Sequence, residues 1–216
     1  MDGNANIIIY VTISKTSNNL YRTAMKPTIA IVFPSSDMVH SRFTGCLVNL
    51  VTYTASLGYR VAVANPRCSI VQIGRYIGIQ QAREMKADKV LFVDSDQTFS
   101  YDALINLLNA NKKIIGAASL TRAEPIEYTT KDKNGERIDF SQRKGLHEVH
   151  TNGFPLTLID MEVLDNIPEP YFNVSFKDGQ FTGEDESFCH EARKAGYKIW
   201  VDADVKVGHL GIKCYE

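Results

Sequence analysis

The stretch "KVLFVDSDQTF", residues 89–99, runs Val90, Leu91, Phe92 and Val93 straight into two aspartates, Asp94 and Asp96, separated by Ser95. A short, continuous apolar run bounded by a polar turn reads as a strand buried on both faces. Carboxylates are costly to bury unless something positive meets them. Such a strand ends either at a solvated turn or where acidic side chains gather a cation.

Strands of the same kind recur on both sides of it. "TIAIVF" (28–33) is broken by Pro34, Ser35 and Ser36, and "YRVAVAN" (59–65) follows a helical stretch, 39–57, that Gly58 terminates. Residues 69–86 place Ile70, Ile73 and Ile77 on one helical face beside Gly74 and Gly78. Ser100 is placed to cap a helix carrying Leu104, Leu107 and Leu108, and "KIIGAAS" (113–119) is a further strand. Continuous apolar strands alternating with amphipathic helices specify an α/β fold: a mostly parallel sheet with helices on both faces.

The pattern changes after residue 120. Residues 121–150 are polar, and "NG" at 134–135 predicts a small β-hairpin between "IEYTT" and "RIDF". This segment is the candidate acceptor lid, expected to be mobile until ligand binds. "PLTLID" (155–160) returns to strand character. A helix follows "GED" (183–185) and ends at Gly196, and "YKIWVD" (197–202) is the last strand.

Composition narrows the function. The 216 residues suit one domain with or without appendages. With 24 Lys and Arg against 25 Asp and Glu, the net charge is −1, so no general nucleic-acid or anionic-membrane surface is expected. Cys46, Cys68, Cys189 and Cys214 are widely spaced without a CxxC pair, which disfavours a zinc ribbon and a disulfide scaffold. "IIIYVTI" (7–13) follows Asp2 and is too short to span a bilayer, so neither a signal peptide nor a transmembrane helix is expected. Those features fit a cytoplasmic chain with residues 1–26 as a dispensable extension, Met25 as a possible start, and 27–216 as the domain. Neither GxGxxG nor GxxxxGK[ST] occurs, which disfavours a Rossmann dehydrogenase and a P-loop NTPase.

Three acidic or histidine motifs remain, each with a plain structural reading. Asp94 and Asp96 fall where an open α/β sheet binds ligands, beyond the carboxyl ends of its strands, and can converge on one divalent ion. A second copy, "DAD" at 202–204, also follows a strand. In "GEDESF", Thr182 and Asp185 can form a capping box, with Glu184, Asp185 and Glu186 at the positive end of the helix dipole. "GHLG" (208–211) reads alone as a turn.

The order of these pieces is more specific than any one of them. From "TIAIVFPSS" through "ADKVLFVDSDQTFSYDALINLL" and "KKIIGAASLTRAEP" to "GEDESFCHEARKAGYKIWVDADVKVGHLG", residues 27–211 resemble the GT-A-type glycosyltransferases. They resemble most the small single-domain bacterial and phage enzymes related to glycosyltransferase family 2. The resemblance implies a transferase that moves a sugar from a nucleotide-sugar donor, UDP-linked, to an acceptor hydroxyl with inversion, using Mn²⁺ or Mg²⁺. It implies Asp96 and His209 as metal ligands, with Asp94 holding ribose or a metal-bound water. It assigns Asp185 as catalytic base and Glu184 to the acceptor, and it makes "DAD" structural.

Pro34, Ser35 and Asn65 would line the nucleotide pocket, with Ser95 beside them. The family often has an Arg-Asn pair in its second helix where this chain has Arg75 and Tyr76, and Arg75 is the residue that would serve the donor. No "QxxRW"-like segment is present, which argues against polymer synthesis. Two other classes stay open: a sugar-phosphate nucleotidyltransferase, against which the loop "FPSSDMVHSR" speaks, and a non-catalytic nucleotide- or glycan-binding relative.

Overall fold

The structure is a computed structural model and describes residues 7–11, 26–122 and 124–211. Its first half runs β1 (Ile7–Val11), β2 (Thr28–Val32), α1 (Ser41–Ser56), β3 (Arg60–Asn65), α2 (Val71–Glu84) and β4 (Lys89–Val93). The middle holds β5 (Gln97–Phe99), α3 (Ala103–Asn109), β6 (Ile114–Ala118), β7 (Leu146–Val149), β8 (Leu156–Asp160) and α4 (Met161–Asn166). The chain continues through β9 (Ser175–Lys177), β10 (Gln180–Thr182), α5 (Glu184–Lys194) and β11 (Ile199–His209).

One sheet dominates, in the order β1-β3-β2-β4-β8-β6-β11-β5, with β7 also pairing β11. β3, β2 and β4 pair parallel, and so do β6 and β11; β8 runs antiparallel between β4 and β6. Alternate strand residues enter opposite cores, as the two-residue period requires. Ile29 and Ile31 pack with Phe43, Leu47 and Leu50 of α1 and Leu104 and Leu107 of α3. Ala30 and Val32 pack with Ile79 and Ala82 of α2 and Phe188, Cys189 and Ala192 of α5. Helices therefore cover both faces, and the expected α/β sheet is what the sequence builds.

Glycine lets α2 lie close to β2. A Cβ on Gly78 would stand 2.1 Å from Val32 Cγ1, and one on Gly74 would stand 2.7 Å from Pro34 Cβ. Any larger side chain would push the helix outward and carry Arg75 with it.

Several local expectations are corrected. Within the extension expected at residues 1–26, Ile7–Val11 adds an antiparallel edge strand along β3. Its other residues, apart from 7–11 and 26, lie outside the described ones. Ser100 does not cap α3; Asp102 is the N-cap residue, and the Ser100 hydroxyl donates to its carboxylate. Thr182 and Asp185 form no capping box: Gly183 stands at the N-cap of α5, and the Asp185 carboxylate accepts from the Glu186 amide at 2.8 Å.

The regular two-stranded hairpin is β9–β10 rather than 121–150. Its turn, Asp178 and Gly179, adopts positive φ at both central residues, the type I′ geometry that Asp-Gly favours. Around Asn134-Gly135 only isolated bridges form, at Lys131–Arg137 and Lys131–Thr151. Within 121–150, Phe140 and Thr130 are fully buried, and Ile138 donates its amide to the Thr130 carbonyl.

The last strand does not stop at residue 202. β11 runs on to His209 through an irregularity between Asp202 and Lys206. "DAD" lies inside it rather than at a strand end. Asp202 accepts from the Asp204 amide, and Asp204 accepts from the Gly145 amide, each at 3.0 Å. Among the described residues no helix is long and apolar enough to cross a membrane.

Candidate functional site

The site residues collect at the carboxyl ends of β2, β3 and β4, the edge where open parallel sheets bind ligands. The loops after β2 and β3 are zipped together: the Ser35 amide donates to the Pro66 carbonyl and the Cys68 amide to the Ser35 carbonyl. Asn65 completes the clasp, its side-chain amide donating to the Phe33 carbonyl at 2.7 Å and to Ser35 Oγ at 2.8 Å. Asn65 thus shapes this ledge from behind. Pro34, which packs on α2, and Ser35 are both buried within it.

Beside the ledge the Arg75 guanidinium is enclosed, its side chain 2 % exposed. One terminal nitrogen donates to Asp94 Oδ1 and the other to Glu184 Oε1, both at 2.9 Å. The rings of Phe154 and Phe172 flank it at 5.3 and 5.7 Å. Burial works against its charge, and Asp94, Glu184 and Asp185 more than offset that, holding its pKa above the ordinary value. Arg75 therefore ties the acidic motif after β4 to the acidic start of α5.

Asp94 and Asp96 have different partners, Arg75 for Asp94 and His209 with Arg122 for Asp96. The chain turns after Asp94, the Gln97 amide donating to the Asp94 carbonyl at 3.1 Å, with Ser95 in the turn. Asp94 is drawn to Arg75, and burial lifts its carboxyl above the usual range against the pull of that guanidinium.

Asp96 faces the other way, toward His209. β5, a strand too short to read from sequence, pairs antiparallel with the end of β11 and sets His209 opposite Gln97. Gly208 permits the approach, for a Cβ there would stand 2.6 Å from Thr98 Oγ1. "GHLG" is thus a strand end, not a turn. His209 Nδ1 lies 2.9 Å from the Leu120 carbonyl, and Nε2 lies 3.3 Å from Asp96 Oδ2. The tautomer decides which nitrogen donates: a ring protonated on both donates to the carbonyl and to the carboxylate, and a ring with one proton leaves one lone pair facing an oxygen.

Arg122 was not singled out in the sequence. Its Nη1 reaches Asp96 Oδ2 at 3.0 Å from the loop after β6, and the one signal for it was a cation just past a strand's carboxyl end. Among the described residues no three His, Cys, Asp or Glu side chains gather as a ready-made metal cage.

Asp185 opens α5, half-buried. Burial first, and then the neighbouring Glu184 charge, raise its pKa above the ordinary aspartate value. It lines a pocket of about 240 Å³ with Asn152, Gly153 and Phe181. A larger groove, about 450 Å³, lies over Ile73, Tyr76 and Phe172 and is lined by none of Asp94, Asp96, Glu184 or Asp185.

No family model and no curated protein matches the sequence. Solved structures do. A197 from STIV superposes with a TM-score of 0.59 at 19% identity, covering 86% of each chain. GalNAc-T7, crystallised with UDP, GalNAc and Mn²⁺, superposes with a TM-score of 0.57 at 13% identity over 88% of this chain. The match takes in 45% of GalNAc-T7, so this chain spans less than half of that protein. At these identities the likeness establishes the fold, which is GT-A-like.

Proposed function

We propose that the chain is a glycosyltransferase that moves a sugar from a UDP-linked donor to an acceptor hydroxyl with inversion, assisted by Mn²⁺ or Mg²⁺. The observation that carries the reading is the meeting of Asp96 and His209 at 3.3 Å, with Arg122 beside the same carboxylate oxygen, on a fold shared with a protein crystallised with UDP and Mn²⁺. A carboxylate oxygen and an imidazole nitrogen suit Mn²⁺, so Asp96 and His209 would hold the ion, with the Leu120 carbonyl 2.9 Å from Nδ1 fixing the ring. Such an ion would supply positive charge to a leaving nucleoside diphosphate.

The chain's own residues supply the remainder. Pro34 and Ser35 offer a ledge to the base and ribose, Asp94 and Ser95 a polar wall. Arg75 fixes Asp94 and Glu184 relative to each other, so the donor-side carboxylate and the start of α5 are positioned as one unit. Asp185 takes the acceptor proton: its raised pKa makes it a stronger base than a solvated aspartate. Glu184, with one oxygen on Arg75, orients the acceptor beside it.

The test is a screen of nucleotide-sugars with and without Mn²⁺, read as nucleotide release. Release of UDP from a UDP-sugar, dependent on the metal, is expected. Production of pyrophosphate from UTP and a sugar phosphate would assign a nucleotidyltransferase instead, and no turnover with any donor would leave a binding module.

A further inference from the structure

The β9–β10 hairpin carries two phenylalanines that the core does not use. Phe176 and Phe181 stand directly opposite each other across the hairpin, 74% and 66% exposed. Exposed rings on a short hairpin are a solubility burden. Phe181 is placed where it has a use. It lines the 240 Å³ pocket that contains Asp185, two residues before the N-cap of α5.

The pocket's chemistry narrows what would lie there. Its two cations are spent: Lys131 is paired with Glu186 at 2.9 Å, and Arg137 with Glu127 at 3.1 Å. An anionic group would find no open charge. Beside these paired charges and Asp185 the lining holds neutral groups, Thr129, whose hydroxyl is shared with Ser119, and Thr151, while Asn152 is engaged by Thr130 and the Ala117 carbonyl. Gly153 and Gly183 flank the base, and a Cβ on either would stand 3.4 or 3.2 Å from an Asp185 carboxylate oxygen. Their bareness leaves the carboxylate open to a hydroxyl. An exposed aromatic face, neutral hydrogen-bonding groups and an uncovered base match a molecule with one apolar face and a hydroxylated edge.

We infer that the acceptor is a neutral saccharide whose ring stacks on Phe181, with Phe176 extending the platform, so that one of its hydroxyls reaches Asp185. This deepens the transferase reading and rests on it.

Saturation-transfer NMR with the methyl glycosides of glucose, galactose, mannose, N-acetylglucosamine and N-acetylgalactosamine tests it, with and without UDP and Mn²⁺. At least one glycoside should bind with saturation concentrated on its C–H face. Phe181→Ala should weaken that binding by about tenfold, the scale of one aromatic contact. Phe181→Tyr and Phe181→Trp should preserve it, with melting temperature and UDP affinity unchanged in all three. No Phe181-dependent signal from any glycoside overturns the inference, as does a Ser/Thr peptide amide that binds through Phe181 in their place. Glycoside binding that depends on Phe181 in a protein that binds no UDP would keep this subsite and reject the transferase reading.

Discussion

Arg75 donates to Glu184 across 109 positions of sequence at 2.9 Å, from a side chain only 2 % exposed. Its second ion pair, to Asp94, makes it a buried group that touches both acidic motifs. Neither carboxylate is fully enclosed, at 34 % and 21 % exposure, so both can regain water when the arginine is removed. Arg75→Ala should still destabilise by about 3 kcal/mol, the low end for breaking a buried pair. Arg75→Lys keeps the charge but cannot fork to two carboxylates, and it should recover only part of the loss. Urea unfolding of the three proteins checks this, and equal midpoints would show that the bridge contributes nothing.

Asp185 makes a prediction with opposite signs for stability and activity. Its pKa is raised in the folded protein, so between the unfolded and folded values the native state binds more protons. Stability therefore falls as pH rises through that window, and the full cost is present above it. Asp185→Asn keeps the oxygen that accepts from the Glu186 amide and removes the buried charge. At neutral pH it should melt no lower than the parent, while transfer falls by about a hundredfold or more. In the parent, turnover should drop with acid at a pH above the ordinary aspartate value. A variant that melts well below the parent, or an acid limb at the ordinary value, would remove Asp185 from the role of base.

Truncation to Met25 removes β1 and bares the outer edge of β3. The ledge, the Arg75 bridge and the Asp96–His209 pair all lie beyond residue 33. We expect a melting temperature lower by a few degrees with UDP binding unchanged. Loss of UDP binding would place part of the donor site in the extension.

The strands around Asp94 were legible because a run buried on both faces needs no partner to be recognised. Asp96 and His209 could be named as candidates, but their meeting depends on β5, three residues long, and on the extension of β11 past Asp204. Helix starts misled where a neighbour outcompeted the expected cap, as Asp102 did Ser100. The hairpin signal misled in place rather than kind: Asp178-Gly179 carries the same chemistry as Asn134-Gly135, and only the former is flanked by strands that pair. Arg75 and Arg122 act across 19 to 109 positions, and no local pattern encodes which carboxylate a cation will find.

The account stands on Asp96 and His209 as the seat of a cation that holds a nucleoside diphosphate. Calorimetric titration of UDP into the full chain, with Mn²⁺ and with chelator, tests this most directly when paired with Asp96→Asn. UDP should bind the parent only when Mn²⁺ is present, and Asp96→Asn should lose that binding while Asp185→Asn keeps it. UDP binding of equal strength in chelator, or undiminished in Asp96→Asn, would contradict the account.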